Sequence, residues 1–137
     1  MRLGVWVAVA AAVVGVFSNW TDDGPVSLNG TQGPNNGWLV LIFGAFALGW
    51  SRSMARGSWI GVVGVLGSAV VMGWTAVENW VESRDVLGSS AGNGLLLVVA
   101  ASVALGSVAV VQGVELVVRA ERRATASPSR PGGAPPG

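Results

Sequence analysis

From Gly57 to Val77 the chain carries no charge, GSWIGVVGVLGSAVVMGWTAV, and the same run then continues through Glu78 and Glu82. As a helix such a stretch rises far enough to cross the roughly 30 Å hydrocarbon core of a bilayer. Read at spacings of three and four, one face is small: Gly57, Gly61, Gly64 and Ser68, continuing through Val71 and Thr75 to Glu78 and Glu82. The other face carries Trp59, Val63, Leu66, Val70, Trp74 and Val77. Where water supplies no drive for helices to associate, small residues in register let a neighbouring backbone come close. The stretch therefore reads as a packing helix against which the rest of the chain lies.

Three further apolar runs share this character. The first, Leu3 to Phe17 and on to Trp20, places Gly4, Ala8, Ala11 and Gly15 at the same spacing. Its competing reading is a secretory signal peptide, with Arg2 before a short apolar core and Val16-Phe17-Ser18 as a cleavage site. A run that ends in Trp20 and carries a packing stripe fits a retained span better. The second run, Gly37 to Trp50, reaches spanning length if the helix continues through Met54 while Arg52 snorkels to the interface. The short link Ser51 to Arg56 makes the second and third helices an antiparallel hairpin. The fourth run, Leu95 to Val118, has the small stripe Ser102, Gly106, Ala109 and Gly113, and ends with Glu115 and Arg119 spaced to pair.

Between the runs lie polar loops, Ser18 to Asn36 and Ser83 to Gly94. The first is built of turn formers such as Asp-Gly-Pro, Asn-Gly and Gly-Pro-Asn-Asn, with Val26-Ser27-Leu28 either a short strand or a laid-down segment. Asp22 and Asp23 read as turn chemistry, since calcium needs six or more oxygens. Beyond Arg123 the sequence ATASPSRPGGAPPG has nothing apolar to bury and reads as disordered or extended.

The fold expected is all-α: a polytopic, antiparallel bundle of four transmembrane helices over 1–119, with spans near 3–20, 37–54, 57–82 and 94–119, and a disordered tail over 120–137. With 51% hydrophobic and 11% charged residues, the chain is too oily for an ordinary soluble domain. Seven arginines (2, 52, 56, 119, 122, 123 and 130) fall on one side of such a bundle and only Arg84 on the other. The positive-inside rule then places both termini in the cytoplasm of a plasma-membrane protein. Tryptophan is distributed to match, with Trp6, Trp50 and Trp59 at the inner interface and Trp20, Trp38, Trp74 and Trp80 at the outer one. The absence of lysine beside heavy Ala, Val and Gly use points to a high-GC bacterial source, where the sequons at Asn19 and Asn29 carry no meaning.

Chemistry is scarce. With no His and no Cys, imidazole-dependent hydrolysis, thiol catalysis, disulfides and the usual zinc sites are excluded. A net charge of +1 gives no reason to expect nucleic-acid binding. No catalytic, metal or cofactor site is expected. Ser68, Thr75, Ser102, Ser107 and Gln112 read as interhelical hydrogen-bond partners. Glu78 and Glu82 read as carboxylates in water past the headgroups, with a cation or proton site as their alternative role.

The succession of an apolar helix ending in Trp20, Gly-rich turns leading to Gly37-Trp38-Leu39, a short Arg-bearing link, a Gly-rich third helix and Asn93-Gly94-Leu95-Leu96 opening the fourth resembles small four-helix membrane proteins of actinobacteria, over roughly residues 3 to 119. That resemblance implies an architecture and no activity. Small multidrug transporters are also short and four-helical, but their pattern has a membrane-embedded Glu in the first helix, and Leu3 to Phe17 has no acid. The expected function is that of a non-enzymatic accessory, assembly or stabilising subunit. It acts in the lipid bilayer on other membrane subunits or on itself, through the packing residues Gly57, Gly61, Gly64, Ser68, Ser102, Gly106, Ala109 and Gly113. The alternative is a small homo-oligomeric channel or transporter with Glu78 and Glu82 at its mouth.

Overall fold

The computed structural model of the chain describes residues 2–23, 26–32, 36–87 and 90–126. Four helices, α1 (Arg2–Phe17), α2 (Gly37–Met54), α3 (Trp59–Leu87) and α4 (Asn93–Ala126), are joined by three short strands, β1 (Asn19–Asp23), β2 (Val26–Asn29) and β3 (Ser90–Ala91). Three of the helices contain segments long and apolar enough to cross a membrane: Gly37–Met54, Trp59–Glu82 and Asn93–Thr125. The apolar part of α1, Leu3–Phe17, is shorter. The whole of α1 rises only about 24 Å at 1.5 Å per residue.

Each helix end has a local cause. The first apolar run, expected to stay helical to about residue 20, stops at Phe17. There the Ser18 amide and hydroxyl both donate to the Val14 carbonyl, at 3.0 and 2.8 Å, and the Trp20 indole N–H donates to Gly15 O at 2.9 Å. These donors serve the orphan carbonyls of the last turn, and the chain leaves as a strand. Helix α2 has the expected bounds. It closes in a Schellman pattern, with Ser58 N–H on Ser53 O at 3.3 Å and Gly57 N–H on Met54 O at 2.9 Å. Helix α3 accordingly begins at Trp59 rather than at residue 57. Helix α4 runs seven residues past the expected limit of 119, because Ala120, Glu121, Arg122, Arg123 and Ala124 are good helix formers extending a helix already nucleated. Of the tail expected over 120–137, only 127–137 is left, and it lies outside the described residues.

The chain is not helix alone. Val26–Asn29 pairs as a strand in an antiparallel sheet of order β2-β1-β3, with Thr21 opposite both Leu28 and Ala91. Polar connections that cannot join a helix satisfy their backbone groups against each other instead. The register slips between Asn19 and Thr21, so Trp20 sits at an irregularity of the kind that re-aims a side chain.

The helices pack side by side in the cyclic order α1, α2, α3, α4, with α4 closing onto α1. Their shared core is mostly valine and alanine, with Met72, Leu95, Leu105 and Trp20 as its large buried side chains. Bulky apolar residues remain on the outward faces, among them Trp6, Trp38, Trp59 and Trp74. The sheet covers the end of the core where α1 finishes. The α2–α3 link lies at the opposite end.

Candidate functional site

The packing residues expected on the third helix have three different surroundings. Gly57 is not in the helix. It is exposed, has φ +80° and occupies the C′ position after α2, a conformation that glycine adopts without penalty. At Gly61 the backbone of α3 lies directly against that of α2. A Cβ there would overlap the backbone nitrogen of Met54 and lie 2.6 Å from its Cα. Gly64 lies beneath the Trp50 indole, whose Cγ stands 2.5 Å from where a Cβ would be. Ser68 is buried, and its hydroxyl donates to Gly64 O at 2.8 Å.

The stripe of α4 meets α3 at ordinary distances. Gly106 faces Ala69 at 3.8 Å and Gly113 faces Val62 at 3.5 Å, measured from an added Cβ, and Ala109 is fully buried. Ser102 Oγ stands 3.1 Å from the corresponding position on Gly73. The stripe of α1 is turned toward α4: Gly15 faces the Gly94 carbonyl and Val98, and Gly4 faces Val108. Each stripe thus makes contacts within the chain itself, while Gly4, Ala8 and Ala11 of α1 also border open space.

The hydroxyls expected to bridge helices do not do so. Ser68, Thr75, Ser102 and Ser107 each donate to a carbonyl of their own helix three or four residues back, at 2.8 to 2.9 Å. A hydroxyl at membrane depth finds that acceptor at no cost in helix separation.

The sheet end holds a buried polar contact. Trp20, expected as an interfacial anchor, is instead 1% exposed, against 70% for Trp74. Its indole lies on Gly30, where a Cβ would stand 2.5 Å from Cε2. Two backbone bonds lace this cap to the helices, Gly30 N–H to Val16 O at 2.8 Å and Gly37 N–H to Gly30 O at 2.9 Å, and a third, Gly92 N–H to Trp20 O at 2.8 Å, ties β1 to the residue before α4. On α3 the inward line near this end runs through Thr75 to Asn79, both buried, and not through Glu78 and Glu82, which are exposed. The Asn79 Nδ2 donates to Thr75 O at 2.7 Å. Sequence periodicity missed Asn79 because steps of three and four diverge by about 100° on a helix, and two carboxylates at the right spacing drew the stripe past it. The side chains of Asp22 and Asp23 lie outside the described residues.

At the link end, Arg119 Nη2 pairs with Glu115 Oε2 at 3.2 Å as the spacing predicted, and Gln112 Nε2 donates to the same oxygen at 3.3 Å. Open grooves run along the surface, two of them bordered by small residues or by arginine. One, of about 430 Å³, lies between α1 and α4 along Gly4, Ala8, Ala11, Ala100 and Ala104. The other, of about 380 Å³, follows α2 from Ala45 to Arg56. Among the described residues no three His, Cys, Asp or Glu side chains are grouped as a metal would need. Comparison of the chain with protein-family models, with curated proteins and with solved structures gave no match.

Proposed function

We propose that the chain is a four-span plasma-membrane protein with both termini in the cytoplasm, acting without catalysis as an accessory, assembly or stabilising subunit. Three spanning-length helices and the arginine asymmetry support the membrane placement. Helix α1 serves as the fourth wall: Val5, Ala8, Val9, Ala12 and Val16 are buried against its neighbours. Its short length is accommodated by local bilayer thinning.

The observation that carries the subunit reading is the groove between α1 and α4. Its small residues, set among Leu3, Val7, Leu97 and Val108, leave room for side chains of another helix, in a medium where helices associate by close packing. Co-purification in mild detergent tests this. Ala104→Phe fills the groove and abolishes a stoichiometric membrane partner, while Val110→Phe, on an exposed part of the same helix, leaves the partner in place. Retention of the partner by both variants overturns the reading. A pure homo-oligomer that passes ions in liposomes, and loses that flux on Glu78→Gln with Glu82→Gln, establishes the channel alternative instead.

A further inference from the structure

We propose that the groove along α2 binds one anionic glycerophospholipid, its phosphate held by Arg52 and Arg56 and one acyl chain laid along Ala45, Phe46 and Gly49. The inference rests on the membrane-spanning reading above, which puts this end of α2 at the inner interface. Three observations carry it. Arg52 and Arg56 line the same groove, one helical turn apart in sequence, and both are exposed. Neither has a carboxylate or other polar partner among the described residues, whereas Arg119, on α4, is paired with Glu115. The apolar part of the groove is open where it needs to be: nothing lies within 4 Å of a Cβ built on Gly49, between the walls made by Phe46 and Trp50.

The chemistry matches at both ends. Two guanidiniums can fork onto the oxygens of a phosphodiester, a geometry that an ammonium cannot reproduce. Trp50, resting on Gly64, sits at headgroup depth, where an amphipathic ring is at home. A zwitterionic lipid fits the apolar track equally well but brings its own cation, so the arginines discriminate by charge. Anionic lipids are enriched on the face where basic residues concentrate, which makes phosphatidylglycerol a suitable probe.

The test counts lipids retained on the full chain by native mass spectrometry. Protein purified in neutral detergent is offered equimolar phosphatidylglycerol and phosphatidylcholine. One phosphatidylglycerol should be kept with a preference on the order of thirtyfold, about fivefold for each arginine near the surface. Arg52→Gln with Arg56→Gln reduces this to parity, and Arg122→Gln with Arg123→Gln leaves it unchanged. Gly49→Leu, which fills the acyl track and keeps both charges, also loses the retained lipid. Equal loss in the two arginine pairs means bulk charge and overturns the site. Glycerol 3-phosphate displacing the lipid at equal concentration overturns the lipid as ligand, since the apolar track then contributes nothing. A chain that stays in the aqueous fraction without detergent defeats the membrane reading itself. One that needs detergent yet keeps both lipids alike defeats only this inference.

Discussion

At Gly61 the backbones of α2 and α3 touch, and no flexible side chain intervenes to absorb an added methyl group. Gly64, one turn on, first meets the Trp50 ring, a side chain that is 38% exposed and has solvent-side room to shift. Gly67 faces open space. Three glycines on one helix thus grade from backbone contact, through side-chain contact, to none. Gly61→Ala should destabilise the fold by about 2 kcal/mol, the scale of overpacking that forces the backbone to shift. Gly67→Ala should be neutral or stabilise by about 0.5–1 kcal/mol through lost unfolded-chain entropy and better helix propensity. Thermal melts in one detergent check both. A Gly61→Ala curve that overlays the parent's would show that the α2–α3 contact is looser than its geometry.

At the scale of the element, α1 is the helix whose fate differs most between readings. Val16 and Val5 are fully buried, near its two ends, and Gly15 lies against α4 through the Gly94 carbonyl. A helix with that much core cannot be removed without stripping one wall from the fold. Intact mass of the membrane-extracted protein should therefore include residues 2–17, and a mass beginning after Ser18 would restore the signal-peptide reading. The elements also show what a sequence can reveal. Helix α2 was legible at both ends, from the turn formers before Gly37 and from the reach through Met54 that a span needs, whereas Gly57, counted with the α3 stripe, is the residue that stops it. Helix α4 outran its apolar segment because propensity, rather than hydropathy, governs a projecting helix end. Trp20 misled for a different reason. A tryptophan closing an apolar run has the pattern of an interface anchor, whereas Trp20 sits at the slipped register of β1, a strand paired with two later ones, and its ring is buried. The candidate site was legible as a set of small residues. Which helix each one faces depended on the cyclic order of packing, a non-local fact.

For the molecule as a whole, orientation is the claim most open to direct measurement. The native chain has no cysteine, so single thiols report cleanly. Cysteine at Thr31, exposed beside the sheet, should react with an impermeant maleimide on intact cells, and cysteine at Ala55, exposed in the α2–α3 link, only after lysis. The reverse pattern would invert the molecule, and labelling of both from outside would remove a span. The three-stranded cap, finally, imposes a chronology on synthesis. On the four-span reading proposed above, β1 and β2 are neighbours and can pair as soon as they are translocated, but β3 follows Asn29 by about sixty residues, several seconds later at roughly 5–20 residues per second. Throughout that interval one edge of β1 stands unpaired and the Trp20 carbonyl lacks the Gly92 amide. The latch shuts only when the second hairpin has been threaded to the same side as the first. On that reading its closure comes before α4, so the cap is complete while the last wall of the bundle is still to be made.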